Sequence, residues 1–160
     1  MRFAFQADFC IRTPEERMKT LSILGYIGMV GGMVALLAMQ KMFSPSPVAI
    51  VVQAAAFVLM VWARVTFGRR SFHLEAHPTE GGLVTSGPYR YIRHPIYTAV
   101  CLFCWAGVGG HWSWSAVLCG ALVLAGATLR IVCEEPLVAA RYPEYAQYKS
   151  KTWRMIPYIY

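Results

Sequence analysis

Polar and hydrophobic residues are sharply segregated along this chain. Between Thr20 and Phe43 the only charged residue is Lys41, and between Val48 and Ala63 there is none. The hydrocarbon core of a bilayer is about 30 Å thick, and roughly 20 apolar residues of helix are needed to cross it. Both stretches are long enough, so the pattern predicts two membrane spans, at residues 20–42 and 48–67.

The second half of the chain repeats this pattern. Apolar runs at 96–107 and 116–133 flank the polar stretch GGHWSWS. We predict a helical hairpin with spans at 95–109 and 113–134 and this stretch as its turn. Three tryptophans near the turn suit a membrane–water interface: Trp105, Trp112 and Trp114. The predicted fold class is therefore all-α, a polytopic membrane protein with about four transmembrane helices in one domain, residues 1–160.

Composition and charge support this interpretation. Hydrophobic residues make up 57% of the chain and charged residues 14%, against about 25% charged residues in soluble domains. Twelve basic residues lie in the N-terminal arm, the middle loop and the tail, whereas the other two connections carry only Lys41. This asymmetry predicts an integral protein of the cytoplasmic membrane with both termini in the cytoplasm. The net charge of +7 then suits anionic lipid head groups and requires no nucleic acid.

The most polar and rigid stretch, EGGLVTSGPYRYIRHPIY, leads into the third span. Its glycines permit close backbone approach and positive φ. Pro95 can occupy the first helical turn, which places His94 at or near the N-cap and Tyr97 on the next turn. Such a helix N-terminus can hold an anionic or polar small molecule. Alternatively, the stretch is a tight connecting loop whose arginines contact phospholipid head groups.

A second candidate is LRIVCEEP, at the end of the fourth span. Arg130 and Glu134 are four residues apart, so on a helix they share one face and can pair. In one interpretation Arg130 holds an anionic substrate and a glutamate holds polar groups of a cofactor. In the other, the two form an interfacial ion pair of little consequence. Pro136 is expected to end or kink the helix directly after the carboxylates.

Other candidates are weaker. Cys101 and Cys104 form a single CxxC inside a span, and packing explains them better than metal or redox chemistry. His73 and His77 stand four apart in HLEAH, which lacks the glutamate placement of a zinc protease helix, so no metal site is predicted. Arg64 is interpreted as an anchor that extends to the membrane surface.

Two stretches resemble the isoprenylcysteine carboxyl methyltransferase family: GGLVTSGPYRYIRHPIY and, about forty residues later, RIVCEEPLVAARYPEYAQYKSKTWRMIP. The phospholipid N-methyltransferases are more distant relatives. The resemblance covers residues 81–158 and depends on G-P-Y-x-x-x-R-H-P-x-Y, then E-E, then Y-x-x-Y with a closing proline. Members are polytopic α-helical enzymes, so the resemblance implies S-adenosylmethionine as cofactor and a pocket for it that faces the cytoplasm.

The resemblance also implies roles for individual residues. One group would contact the cofactor from the loop and the start of the third helix: Gly81, Gly82, Leu83, Val84, Tyr89, His94, Pro95, Ile96 and Tyr97. Glu134, together with Glu135, would close the pocket from the fourth helix, and Arg130 would hold the substrate. Three residues fit the C-terminal segment that folds over the cofactor in the family: Tyr145, Tyr148 and Pro157. Pro136 and Pro143 depart from the family pattern.

The chemistry of the nucleophile favours one class of acceptor over another. A carboxylate is ionised at neutral pH and needs only an orienting cation, for which Arg130 is the candidate. An amine needs a base, and Glu135 or His94 could serve. With the activity that the resemblance implies, these considerations favour S-adenosylmethionine-dependent methyl transfer to a lipophilic carboxylate at the membrane, such as a prenylcysteine-like acid. The alternatives are N- or S-methylation of a phospholipid or small molecule, and a membrane protein without enzymatic activity.

Overall fold

The computed structural model describes residues 13–68 and 82–160, and the segments 1–12 and 69–81 lie outside the described residues. The elements are α1 (Pro14–Ala38), α2 (Pro47–Phe67), a 3₁₀ turn (Gly87–Arg90), α3 (Pro95–Gly110), α4 (Trp114–Arg141) and α5 (Tyr145–Ser150). In the described residues the only β pairing is an isolated bridge between Ile92 and Trp153. The all-α prediction is confirmed.

Helix α1 begins well before the predicted span because the sequence TPEE forms a capping box. The Thr13 side chain accepts a hydrogen bond from the Glu16 N–H at 3.3 Å, and Glu16 Oε2 accepts one from the Thr13 N–H at 3.0 Å. Pro14 suits the first turn, where its missing N–H has no partner to lose. The helix ends at Ala38 rather than at residue 42, and Gln40 has a φ of 54°.

Helix α4 passes through Pro136 and ends at Arg141, so the expectation that Pro136 ends the helix is wrong. Pro136 removes one helical hydrogen bond and crowds the carbonyl of Val132. Both residues lie on the exposed face of the helix. Buried Leu137 follows at once, so the packed face of α4 continues beyond the proline.

The turn of the predicted hairpin is short. Helix α3 ends at Gly110, and α4 begins with Ser113 as its N-cap, whose side chain accepts a hydrogen bond from the Ala116 N–H at 3.3 Å. Trp112 and Trp114 are 75% and 84% exposed, as expected for interfacial rings. Trp105 differs, because its ring is partly buried and packs on Gly120 of α4. Trp105 therefore packs against the bundle, and its place in an interfacial cluster stays a prediction.

The four long helices pack in the spatial order α1, α4, α3, α2. Helix α1 packs on α4 and α2 packs on α3, while α3 and α4 join the two pairs. Helices α1 and α3 both begin at one end of the bundle, where α2 and α4 finish, and this end is called the motif end below. The apolar core lies where these helices meet, and its buried members include Met29, Leu36, Cys104, Val108, Val123 and Ile131.

A seam of small residues brings α1 very close to α4. A side-chain carbon on Gly25 would lie 2.8 Å from the carbonyl oxygen of Gly126, and one on Gly32 would lie 2.8 Å from that of Cys119. Small residues at helix interfaces allow backbones to approach closely where lipid supplies no hydrophobic driving force between helices. Gly25 and Gly32 are therefore a condition of this packing.

Three of the described helices, α1, α2 and α4, are long and apolar enough to cross a membrane. Helix α3 is apolar but has 16 residues, roughly 24 Å at 1.5 Å per residue. Large apolar side chains point outward from the bundle and remain exposed, for example Leu24, Ile27, Val51, Val58 and Leu118. These features belong to a polytopic integral membrane protein whose outer surface is in contact with lipid.

Candidate functional site: a buried arginine–tyrosine–glutamate cluster at the motif end

The glycine-containing loop before α3 lies close against α2. Gly87 has a φ of +56°, and a side-chain carbon there would lie 2.6 Å from Thr66 Oγ1 and 3.2 Å from Trp62 Nε1. Only glycine combines this conformation with such proximity. Gly82 has a φ of +88° with open space around it, so its requirement for glycine is conformational alone.

The residues expected to contact a cofactor from this loop are placed as follows. Leu83 and Val84 are partly buried in irregular backbone, and Gly81 lies outside the described residues. Tyr89 is buried, and its carbonyl accepts a hydrogen bond from the Tyr148 hydroxyl at 2.7 Å. Tyr89 therefore ties the loop to the C-terminal segment of the chain.

His94, Pro95 and Ile96 form the start of α3. His94 is the N-cap, and Pro95 is buried in the first turn, both as predicted, while Ile96 is partly buried. The ring of His94 stacks on that of Tyr97 with centroids 5.8 Å apart. Its buried Nε2 has no hydrogen-bond partner among the residues that the structure describes. Glu135 Oε1 lies 3.5 Å from it, beyond the usual hydrogen-bond range.

Tyr97, Arg130 and Glu134 form one hydrogen-bonded cluster, called the α3–α4 cluster below. Arg130 Nε donates to the Tyr97 hydroxyl at 2.6 Å, and that hydroxyl donates to Glu134 Oε1 at 2.5 Å. Arg130 Nη2 lies 2.9 Å from the same carboxylate oxygen. The predicted pairing of Arg130 with Glu134 is confirmed, and the tyrosine hydroxyl holds both groups.

The cluster lies near the level at which α4 leaves the hydrocarbon core. Arg130 follows Trp114 by sixteen residues, roughly 24 Å along the helix, against a core about 30 Å thick. The Arg130 side chain is 5% exposed and that of Glu134 is 19% exposed. An arginine is costly at such a depth. The position therefore combines a buried cation with a carboxylate that still has an accessible edge.

Glu135 belongs to a separate arrangement, called the Glu135 cluster below. Its Oε1 accepts a hydrogen bond from Arg93 Nε at 2.8 Å, and its Oε2 lies 3.1 and 3.0 Å from Nε and Nη2 of Arg154. Lys149 Nζ lies 3.9 Å from Oε2. The hydrogen bond to Glu135 raises the pKa of Arg154 above its usual value. Glu135 is 5% exposed, so this cluster is an internal clamp.

The clamp holds the C-terminal segment against the loop and the start of α3. The Arg93 N–H donates to the Trp153 carbonyl at 2.7 Å, and the Thr98 hydroxyl donates to the Met155 carbonyl at 2.9 Å. The Arg93 guanidinium also donates to the Thr152 carbonyl. Met155 is buried and belongs to the apolar core. The segment is therefore an integral part of the motif end.

The three C-terminal residues carried over from the resemblance differ in placement. Tyr145 is buried, and burial together with the nearby Glu135 raises the pKa of its hydroxyl to about 12. Tyr148 reaches Tyr89, as described above, and burial raises the pKa of its hydroxyl as well. Pro157 is exposed in the last turn. Both tyrosines are therefore neutral at physiological pH and act as hydrogen-bond donors.

Sequence reasoning singled out neither Arg93, Arg154 nor Tyr26. Arg93 and Arg154 were counted only as positive charges of the cytoplasmic side, although Arg93 stands inside the motif R-H-P. Arg130 Cζ lies 5.2 Å from the centroid of the Tyr26 ring and 5.8 Å from that of Tyr97. No sequence motif includes Tyr26, and a single tyrosine in an apolar span gives no signal that would distinguish it from other tyrosines. In the part of the chain described, no group of three or more histidine, cysteine or carboxylate side chains is arranged to hold a metal ion.

Comparison with known protein families shows which family this chain belongs to. A sequence model of the phospholipid methyltransferase family matches residues 46–145, which is more than half of the chain. The chain belongs to the phospholipid methyltransferase family. This family is part of the same superfamily of membrane methyltransferases as the isoprenylcysteine carboxyl methyltransferases, so the resemblance seen in the sequence is confirmed. A search of curated proteins found no match.

Membership of the phospholipid methyltransferase family identifies the protein as a methyltransferase that works at a membrane, with a methyl donor of the S-adenosylmethionine type. The residues at the motif end suit such a donor, which carries an amino group, hydroxyls and a carboxylate. Glu134 offers an accessible carboxylate edge, and the buried Nε2 of His94 has no hydrogen-bond partner among the described residues. A buried nitrogen of this kind costs free energy unless it forms a hydrogen bond. The side chains of Glu134 and His94 therefore fit the polar groups of such a cofactor.

Proposed function

We propose that this protein transfers the methyl group of S-adenosylmethionine to a lipophilic acceptor that enters from the bilayer. We further propose that the methylated atom is a carboxylate oxygen, as in O-methylation of a prenylcysteine-like acid. The observation that supports this most directly is the buried guanidinium of Arg130, held by Tyr97 and Glu134 at the depth where a lipid's polar end would lie.

The charge balance of the motif end supports an anionic acceptor. Among the described residues, Arg93, Arg130, Arg154 and the half-exposed Lys149 face two carboxylates, Glu134 and Glu135, which leaves two positive charges in excess, both of them in the Glu135 cluster. An excess of positive charge beside the site attracts a negatively charged acceptor. A carboxylate supplies that charge without first losing a proton at neutral pH.

The residues of the chain have mainly to bind, orient and exclude water. When bound, S-adenosylmethionine supplies a methyl group already activated by a positively charged sulfur. Arg130 orients the acceptor oxygen towards that methyl group, and Tyr97 fixes the guanidinium by accepting its Nε–H. Positioning of this kind contributes a large part of the rate of a bimolecular transfer. No general base is required, because the acceptor is already ionised.

The cofactor-side residues follow from the resemblance. Glu134 and His94 would hold its polar groups at the start of α3, and the backbone at 81–84 would hold its other end. Both termini and the motif end would then face the cytoplasm, where the cofactor is soluble. The basic residues counted in the sequence support this orientation.

A second candidate is N-methylation of a phospholipid amine, favoured by the description of the family that the chain belongs to. This reaction needs a group that takes a proton from the amine. His94 suits that role better than Glu135, since its Nε2 has no hydrogen bond to the described residues whereas Glu135 is committed to Arg93 and Arg154.

The linkage formed by the methyl group distinguishes the two candidates. Purified protein in liposomes is incubated with S-adenosylmethionine labelled in the methyl group and with either a prenylthioether carboxylic acid or phosphatidylethanolamine. A methyl ester releases volatile labelled methanol in base, whereas an N-methyl group is stable. We expect base-labile product from the acid, and label found only in stable N-methyl lipid would refute O-methylation.

Arg130→Ala tests the assigned role. We expect at least a hundredfold loss of methyl transfer while cofactor binding persists, because a charge-assisted contact to the acceptor is lost in a buried site. Arg141→Ala removes an exposed arginine at the end of the same helix and is the matched control, expected to retain activity. Equal turnover by the two variants would contradict the proposed role of Arg130 in orienting the acceptor.

A further inference from the structure

Helix α1 lies outside the part of the chain that matches the family, yet it contacts the α3–α4 cluster. The family match begins at residue 46, whereas α1 spans Pro14–Ala38. Helix α1 packs along α4, on the side of α4 away from α2. An element outside the family match that contacts the substrate-orienting residue is well placed to distinguish one acceptor from another.

The contact is close and specific. Gly25 faces the stem of Arg130, and a side-chain carbon at this position would lie 3.2 Å from Arg130 Cγ. The next residue, Tyr26, places its ring over the guanidinium, with the centroid 5.2 Å from Cζ. This distance is within the range of a cation–π interaction. Gly25 therefore allows the arginine to lie against α1, and Tyr26 covers it.

The two tyrosines flank Arg130 from opposite neighbours of α4. Tyr97 on α3 binds Arg130 through its hydroxyl, and Tyr26 on α1 contributes its ring. Tyr26 is only partly buried, so part of its ring remains available to another molecule. A guanidinium binds a carboxylate through N–H groups in its own plane. A ring over its face therefore lies beside any carboxylate that binds in that plane, and it limits the bulk that the acceptor can carry there.

We propose that α1 forms the acceptor-side wall of the site and that Tyr26 is a specificity-determining residue. This inference rests on the proposed function, since it assigns Tyr26 to the acceptor that Arg130 orients. The ring of Tyr26 restricts the space beside the carboxylate and favours acceptors that are slim next to it. The cofactor is held from the α3 side, so Tyr26 does not contribute to its affinity.

The test compares two acceptor acids that differ only beside the carboxyl group. One prenylthioether carboxylic acid carries an acetamido substituent on the carbon next to the carboxyl, and the other carries hydrogen there. Tyr26→Leu is expected to shift the ratio of kcat/KM values towards the bulkier acid by about tenfold, the size of one desolvated ring contact. The change should appear in the acceptor KM, while the dissociation constant for S-adenosylmethionine stays unchanged.

Met33→Leu is the matched control. Met33 lies on the same side of α1, seven residues further along and partly buried against the core, roughly 10 Å from Tyr26 along the helix. The Met33→Leu variant should leave the ratio of kcat/KM values for the two acids unchanged. A ratio that moves equally in both variants, or in neither, would overturn the role of Tyr26. If Tyr26→Leu does not fold, Tyr26→Trp is used instead, and its larger ring should shift the ratio towards the slimmer acid.

The failure of this inference is distinguishable from failure of the proposed function. If the unaltered protein methylates neither acid, O-methylation is wrong, and the ratio is measured with phosphatidylethanolamine and its N-monomethyl derivative. If the ratio of kcat/KM values for these two lipids depends on Tyr26, α1 forms the acceptor-side wall even though the acceptor is not a carboxylate. A ratio that does not depend on Tyr26 overturns the inference.

Discussion

Glu134 and Glu135 are neighbours in the sequence but belong to different parts of the molecule. Successive residues of a helix are turned by about 100° from one another, so the two side chains leave α4 in different directions. Glu134 meets Arg130 and Tyr97 inside the helix bundle. Glu135 meets Arg93 and Arg154, which come from the loop and the C-terminal segment.

The two carboxylates differ in exposure and in how many of their oxygens are already bound. The Glu135 side chain is 5% exposed, and both of its oxygens are bound by arginine. The Glu134 side chain is 19% exposed and uses one oxygen for both of its described partners. A carboxylate with an accessible edge can exchange partners with a ligand, whereas a fully used one can only hold the structure together. Of the two neighbouring glutamates, Glu134 is therefore suited to bind a ligand and Glu135 to stabilise the fold.

The largest effect is expected from Glu135→Ala. This change leaves Arg93 and Arg154 without their carboxylate, and removal of one partner from a buried ion pair costs about 3–5 kcal/mol. We expect a large loss of stability in detergent unfolding, and rapid proteolysis of the chain after α4 because the C-terminal segment is released. Met155 would then leave the core as well.

Glu135→Gln serves as the control, because it keeps the shape and hydrogen-bonding oxygen while removing the charge. It should be intermediate in stability. An alanine variant as stable and as resistant to protease as the unaltered protein would show that the Glu135 cluster is not a clamp.

A smaller effect on stability, but a larger one on binding, is expected from Glu134→Gln. The amide oxygen still accepts from Tyr97 and Arg130, so we expect a cost of about 1–2 kcal/mol for the lost charge. Affinity for S-adenosylmethionine should fall about tenfold, since an amide attracts a cationic amine less than a carboxylate does. Equilibrium binding of labelled cofactor measures this. If Glu135→Gln lowers the affinity more than Glu134→Gln does, the division of roles is reversed.

The smallest effect is expected from Lys149→Ala. Lys149 is 52% exposed and lies 3.9 Å from Glu135 Oε2, so it is the weakest member of the cluster. Exposed pairs contribute little, and we expect a change of less than about 0.5 kcal/mol, measured by the same unfolding experiment. A loss comparable to that of Glu135→Ala would mean that the clamp depends on total charge rather than on the two arginines.

The sequence was sufficient to predict the four apolar helices, three of them long enough to cross a membrane, because hydrophobic runs and their polar boundaries are local features. His94 as the N-cap of α3 and the pairing of Arg130 with Glu134 were also predictable, since helical geometry alone determines them. The sequence predicts that Pro136 ends or kinks α4, and the ending is wrong, because the cost of an internal proline depends on the packing of its helix. That packing is decided by distant residues, and here both Pro136 and Val132 point outward.

The partners of Glu135 could not be predicted in the same way. Arg93 and Arg154 lie 42 and 19 residues from it, and no periodicity links positions so far apart. Tyr26 is a similar case, since its contact with Arg130 depends on the close approach that Gly25 permits. Residues of this kind become visible only when the helices are packed.

The shortness of α3 has a consequence for the membrane around the protein. Its 16 residues cover several Å less than an average hydrocarbon layer, while α4 beside it is long enough to extend past both boundaries. Hydrophobic mismatch of this kind is relieved when the leaflet next to α3 becomes thinner. The protein should accordingly accumulate in thin membranes, and shorter acyl chains should ease the passage of a lipid-borne acceptor to the start of α3.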